Sequence, residues 1–575
     1  METPVRRPRW RRRVLVLLLL ALLAVWLGRS WLMAPAVPEG SHVLLTLTGE
    51  YPETPPDSLL GRVVGGGPMP MVDLVSLIRD AREDSRVAGL VVRVRSLAVG
   101  WAKAQEIRDA LIAFRDAGKS LVAYLEGEFG GGTLDYYVAS AAKTIYLSPG
   151  ASAPLNGLAA QYSFLGGVWE KLDIDVQVEK IREYKTAGDF IGGKQMTPYH
   201  REMANAILDS VYQQLVTDIA GARDLRPEAV RAAVDRCPIT AGEFAALKLA
   251  DGEKYLDEVR TELIGADREF VDAERYRGAA GVRTGLGGRK VAVVFGAGTI
   301  TSGESGGGMW QDGIIGSDTI AKAFQQAAED DAVKAIVFRV DSPGGSALAS
   351  DLIWRATQKA RAAKPVIVSM SDVAASGGYY AAAGATRIFA QPGTLTGSIG
   401  VVAWKPNVAG FLARLGVNTE TLVRGKFARL HSFTNSLTEG ERERVVAAMT
   451  HVYDLFLSRV AAGRGLSVKQ VDEVGRGRVW TGEQARANGL VDQFGGLTAA
   501  IAAAKAEAGI PESEKVPLVF YPKRKPLLER LTNLLQARVV AAMPQWWQQL
   551  RALMPAYDFP EGSVLTLMPG VFDIR

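Results

Sequence analysis

The stretch SDVAASGGYYAAAGATRIFAQPGTLTGSIG, Ser371 to Gly400, decides the fold class of this chain. It follows the apolar run Val366–Met370, which has the composition of a buried strand. Tyr379–Ala383 is small and apolar and suits a helix packed against a sheet. Between them Ser376 sits among Ala374, Ala375, Gly377 and Gly378. A serine at a strand-to-helix turn is held up rather than buried, and the neighbouring backbone N–H groups point at whatever it attacks. Small neighbours also let a substrate backbone approach closely. Taken alone, the same residues are equally a glycine turn that contains a serine, because short motifs match by chance.

Outward from this stretch, strand and helix patterns alternate, the signature of an α/β architecture. One unit occurs twice. In the first, GLVVRV (Gly89–Val94) precedes helix-like Lys103–Ala117, strand LVAYL (Leu121–Leu125) and GGGTLDYYVASAAKTIYLSPG (Gly130–Gly150). In the second, AIVFRV (Ala335–Val340) precedes Ala347–Ala363, strand VIVSM (Val366–Met370) and ASGGYYAAAGATRIFAQPG (Ala375–Gly393). Tyr136-Tyr137 and Tyr379-Tyr380 align at an offset of 243, as do Pro149-Gly150 and Pro392-Gly393. So long a period means a duplicated domain, not a solenoid. The expected copies are residues 40–278 and 290–515, joined by a linker at 279–289 around GVRTGLGG (Gly281–Gly288).

The copies differ where chemistry would sit. Ser376 faces Thr133, and Gly377-Gly378 face Leu134-Asp135. After its strand the second copy has DSPGG (Asp341–Gly345), where the first has RSLAV (Arg95–Val99). The glycine-lined site is therefore expected in the second copy alone.

A chain of 575 residues is too long for one ordinary domain, and 48% hydrophobic against 22% charged residues suffices for large cores. The net charge is +5, but six arginines within residues 1–13, against Glu2, account for all of it. The remainder has no basic field, which argues against a nucleic-acid partner. Those arginines run into VLVLLLLALLAVWLG (Val14–Gly28), and extension to Met33 gives 20 residues, enough for about 30 Å of helix and one bilayer crossing. The basic tip predicts a cytoplasmic N-terminus with the rest exported. The rival reading is a cleaved signal peptide, since Ala34-Pro35-Ala36 resembles a cleavage site; the length of the apolar core favours a retained anchor. Residues 516–575 change character, and the Trp-, Leu- and Arg-rich Leu527–Leu553 reads as an amphipathic tail, suited to a membrane surface or to docking on the protein itself. The single Cys237 excludes a disulfide framework and a cysteine-rich metal site.

A serine hydroxyl needs a base. Four histidines exist (His42, His200, His431, His451), and no local motif marks any of them as catalytic. Lysine serves instead if burial lowers its pKa enough to give the neutral amine. Lys185 in REYKTAGDF has the most suitable surroundings, with Tyr184, Thr186, Ala187 and Gly188 beside it. Its counterpart in the second copy is expected at Phe427 or Ala428, with Lys426 close by. Oxyanion donors are available at Gly377 and in the turn Pro343-Gly344-Gly345, and Ser398 in GTLTGSIG is a hydroxyl suited to orienting a lysine.

Together YKTAGDF, DSPGG, AASGGYY and LTGSIG, in this order on a duplicated unit behind one apolar span, resemble peptidase family S49, the long tandem form of bacterial signal peptide peptidase A. The resemblance covers roughly residues 40 to 510. It implies tandem ClpP/crotonase-like domains and a Ser/Lys-dyad endopeptidase without a cofactor. Ser376 is then the nucleophile, Lys185 the general base and Ser398 the hydroxyl that holds the lysine, with Gly344 and Gly377 as oxyanion donors. It further implies a homotetramer at the bacterial inner membrane, with catalytic domains on the periplasmic side, that cleaves remnant signal peptides. The competing classes are an acyl-CoA hydratase or isomerase on the same fold, which has no use for a paired serine and lysine, and a non-catalytic membrane scaffold.

Overall fold

The structure is a computed structural model that describes residues 37–54, 68–127, 132–280, 288–306, 313–523 and 565–567. The predicted span at 14–33, the core of the linker and most of the predicted tail lie outside the described residues.

The first copy contributes β1 (Ser41–Gly49), β2 (Val87–Leu97), β3 (Ser120–Leu125), β4 (Thr144–Leu147), β5 (Asp175–Ile181), β6 (Gly252–Glu253) and β7 (Val271–Asp272). All but β5 form one parallel sheet, in the order β6-β4-β3-β2-β1-β7. Central strands such as β2 read as apolar runs because helices cover the sheet. Helix Met71–Glu83 buries Met71, Leu74, Val75, Ile78 and Ala81, the i, i+3, i+4 spacing of one helical face.

The second copy supplies β8 (Lys290–Ala297), β9 (Thr299–Thr301), β10 (Ile314–Gly316), β11 (Val333–Ser342), β12 (Gly344–Ser346), β13 (Val366–Ala375), β14 (Arg387–Ala390), β15 (Leu395–Gly397), β16 (Val401–Asn407), β17 (Val479–Thr481), β18 (Gln493–Phe494) and β19 (Leu518–Tyr521). Its main sheet runs β17-β15-β13-β11-β8-β19, parallel except for β15 with β17. Because β19 pairs with β8, the first residues of the predicted tail belong to this sheet. A third sheet crosses between the copies in the order β10-β9-β12-β20-β16-β5, where β20 is Leu565–Leu567.

The duplication repeats down to single hydrogen bonds. Tyr136 donates its hydroxyl to the Leu249 carbonyl at 2.8 Å, and Tyr379 does the same to Leu490 at 2.9 Å. Lys119 holds the carbonyls of Ala81 and Asp84 as Lys364 holds those of Ala327 and Asp330. Helices Pro198–Arg223 and Glu439–Arg464 both have 26 residues, and Thr197 and Thr438 cap them. The second helix is the one described segment long and apolar enough to cross a membrane. Its Met449, Tyr453, Phe456, Leu457 and Val460 are buried in the core of the second copy.

The copies are joined by buried charge. Arg339 of β11 donates to Glu53 at 2.8 and 3.0 Å and to Glu106 at 2.8 Å, both carboxylates from the first copy. Lys103 of the first copy lies 3.0 Å from Asp341 and 3.7 Å from Asp372. Asp372 in turn accepts from the N–H groups of Gly100 and Lys103, so it caps the first-copy helix Trp101–Asp116 from across the interface. Burial pushes the Asp372 carboxyl up to about 6, despite Lys103 beside it.

Candidate active site

The sheet positions Ser376. The sequence suggests a strand ending at Met370, but β13 continues to Ala375, so Ser376 stands directly at its C-terminal end. Ser371 and Asp372 stay in the strand because buried partners from the first copy satisfy them. Ser376 adopts φ 54° and ψ −114°, a rare backbone conformation for a residue with a β-carbon, and helix Gly377–Ala382 starts at the next residue. Its N–H donates to the Gly397 carbonyl at 2.8 Å. Ala375 is the register partner of Gly397 in β15, which sets Ser398 beside Ser376. Ser398 also has a positive φ, 51°.

Lys185 arrives from the other copy. β5 pairs antiparallel with β16, Ile181 opposite Val401, and the chain then turns into the site. There the Tyr184 N–H donates to the Arg476 carbonyl at 3.1 Å. Lys185 is fully buried. Its Nζ lies 2.8 Å from Ser376 Oγ, 2.9 Å from Ser398 Oγ and 2.9 Å from the Ser398 carbonyl. Burial lowers the lysine pKa well below its ordinary value. A neutral amine has two hydrogens and one lone pair. The two oxygens of Ser398 take the hydrogens, which leaves the lone pair for the Ser376 hydroxyl proton.

Gly344 opens β12 with φ 103°, and its N–H donates to Ser342 Oγ at 3.2 Å. A β-carbon on Gly378 would fall 2.8 Å from the Ser342 carbonyl, so this turn packs directly on the start of the helix that carries Gly377.

One contributor escaped the sequence reading. Gly477, at φ 83°, lies so close that a β-carbon there would fall 2.4 Å from the Lys185 backbone nitrogen. Its N–H donates to Ile399 at 2.7 Å, and Arg478 accepts from the Ser398 N–H at 2.7 Å. The loop Gly475–Arg478 thus clamps both Lys185 and Ser398. The glycine alternation Gly475-Arg476-Gly477-Arg478 is the only local signal for it.

The histidines lie elsewhere. His200 is buried against the rings of Tyr162 and Phe164, and burial lowers its pKa. His42 is buried on β1 of the first copy, while His431 and His451 are exposed. Among the described residues no histidine is hydrogen-bonded to Ser376. The Leu165 N–H donates to the Phe190 carbonyl and the Val408 N–H to the Phe433 carbonyl, an offset of 243 on both sides of Lys185, which places Ala428 opposite it. Lys426 is exposed, with Nζ 5.3 Å from the centre of the Phe427 ring. The second copy therefore has no lysine at this position, and the first copy lacks the serine.

The chain matches the sequence model described as Peptidase family S49 at residues 113–267 and 358–511, once in each copy. It is 37% identical over 492 residues to the chloroplastic serine protease SPPA of Arabidopsis thaliana, covering 84% of this chain and 71% of that one. Similarity to Protease 4 of Salmonella typhi is 31% over 506 residues, covering 84% and 79%. Protease 4 of Haemophilus influenzae is 30% identical over 460 residues, covering 75% and 71%. With these relatives, the protein is a serine protease. More narrowly, the chain belongs to peptidase family S49 and carries that family's domain twice.

Proposed function

We propose that Ser376 and Lys185 form the catalytic dyad of an endopeptidase assembled across two ClpP/crotonase-like domains. The observation that carries this reading is the 2.8 Å contact between Lys185 Nζ and Ser376 Oγ, with the amine fully buried. Neutral Lys185 takes the Ser376 proton as Oγ attacks the peptide carbonyl, while Ser398 holds the amine in line. The N–H groups of Gly377 and Gly344 receive the oxyanion, Gly344 exchanging its Ser342 partner for it. Lys185 then protonates the leaving amine, and in the second half-reaction it activates the water that cleaves the acyl-enzyme. Residues 14–33 anchor the chain in the bacterial inner membrane, with the catalytic domains on the periplasmic side. This placement favours apolar peptides such as remnant signal peptides as substrates, and the working form is a homotetramer.

The test is hydrolysis of an apolar peptide by Ser376→Ala, Lys185→Ala and the double variant. Each single change should remove nearly all turnover, and the double should be little worse, because groups acting as a unit are non-additive. Near-normal turnover in Lys185→Ala would overturn the dyad.

A further inference from the structure

The third sheet contains a strand that belongs to neither copy. β20 pairs antiparallel with β12, with Gly344 opposite Leu567, Gly345 opposite Thr566 and Ser346 opposite Leu565. On its other side it pairs antiparallel with β16, Leu565 opposite Val402. Among the described residues β12 and β16 do not pair with each other, so β20 fills a slot between them.

Both walls of that slot carry the candidate chemistry. β12 opens with Gly344, and β16 begins directly after Gly400, where a β-carbon would fall 3.1 Å from Lys185 Cδ. Two strand edges facing one another across a gap form a template for an extended peptide, which main-chain hydrogen bonds hold whatever its side chains. The resident strand lies in the segment GSVLTLMPG (Gly562–Gly570), which has no charged side chain. An occupant of the slot therefore lies where a peptide must lie to reach Ser376.

We propose that the C-terminal strand is a tethered competitor, seated in the slot that an extended, uncharged peptide substrate must enter. The inference rests on the peptidase reading of the site. A tethered segment acts at an effective concentration in the millimolar range, so weak docking suffices to hold it. Substrate must displace it, so it raises the apparent KM by the reciprocal of the free fraction and leaves kcat unchanged at saturation.

The experiment uses the full chain with Leu565→Pro and Leu567→Pro together, since proline removes a ladder N–H and is not tolerated between two strands. The apparent KM for an uncharged peptide should fall at least about three-fold, the change expected if the slot is filled about two-thirds of the time. kcat should not change. Synthetic GSVLTLMPG should inhibit the variant competitively, at a concentration at least three-fold lower than it needs against the parent chain. Hydrogen exchange gives a readout independent of hydrolysis: amides of Gly345–Ser346 and Val402 should lose protection in the variant and regain it with the added peptide. Unchanged KM and unchanged protection would overturn the proposal. If neither protein hydrolyses any peptide but protection still shifts as described, the peptidase reading fails and the docking stands.

Discussion

Replacing Arg339 with methionine should loosen the two copies and remove activity with them. The Arg339 side chain has no exposed surface, and Glu53 and Glu106 are only 2% and 5% exposed. Burial alone would raise the Glu53 pKa, but Arg339 and Lys103 outweigh it and hold the carboxyl at about 2. Methionine fills similar volume but leaves both carboxylates buried with Lys103 as the nearest cation, 3.5 Å from Glu53. Removing one partner of a buried ion pair costs about 3–5 kcal/mol. The carboxylates belong to one copy and the arginine to the other, so the cost falls on their interface. With a urea slope of about 1–3 kcal/mol/M, the midpoint for loss of peptidase activity should drop by about 1 M or more. The sign of the pH dependence follows. Without the arginine, burial raises the Glu53 pKa above its unfolded value, so the defect is full at neutral pH and shrinks as pH falls towards the unfolded carboxylate range. Adding Glu53→Gln should recover part of the loss. Urea titrations of activity and tryptophan fluorescence at two pH values measure all of this. A midpoint within about 0.3 M of the parent would refute the premise that this cluster clamps the copies.

Ser398→Ala should lower kcat about ten-fold with little change in KM, the loss expected for one buried hydrogen bond that orients the base; an unchanged rate and pH profile would remove Ser398 from the site. Gly477→Ala should lower kcat more than ten-fold while circular dichroism stays unchanged, because the new methyl group displaces the Lys185 backbone; normal turnover would show that the clamp is dispensable. The pH profile of kcat/KM should rise through neutral to mildly alkaline pH, well below the lysine value of about 10.4, and a limb near that value would mean that Lys185 stays hydrated. Because folding lowers this pKa, burial of Lys185 costs stability below its folded pKa, and the cost fades as pH rises towards the unfolded value. Lys185→Met should therefore be more stable than the parent at neutral pH, with the difference shrinking at alkaline pH; an advantage that grew with pH would contradict it.

The duplicated α/β framework was legible because its signals are local: apolar runs, the tyrosine pairs and the Pro-Gly turns recur in the same order. The third sheet was not. β9, β12 and β20 have three residues each, and β12 is Gly-Gly-Ser, so no periodicity marks them. The end of β13 was misplaced because Ser371 and Asp372 look like loop residues until Glu53, Gly100 and Lys103 arrive from the other copy. The meeting of Lys185 and Ser376 spans 191 residues of sequence. No local pattern reports such a contact, and the burial that sets the lysine apart from a surface lysine exists only once both copies are folded. Gly477 went unread for the same reason, since its constraint is the Lys185 backbone lying against it.

The most direct test of the dyad is the rate at which a serine-reactive phosphonate labels Ser376 as pH is raised, in the parent chain and in Lys185→Met. Labelling reports on the nucleophile alone and does not depend on knowing the peptide substrate. The parent should label at one site, abolished by Ser376→Ala, with a rate that climbs along the same limb as kcat/KM. In Lys185→Met the rate should fall by at least about a hundred-fold, the lower range of general-base contributions, and should lose that limb. Labelling of Lys185→Met at the parent rate, with the limb intact, would mean that another group activates Ser376 and would contradict the dyad.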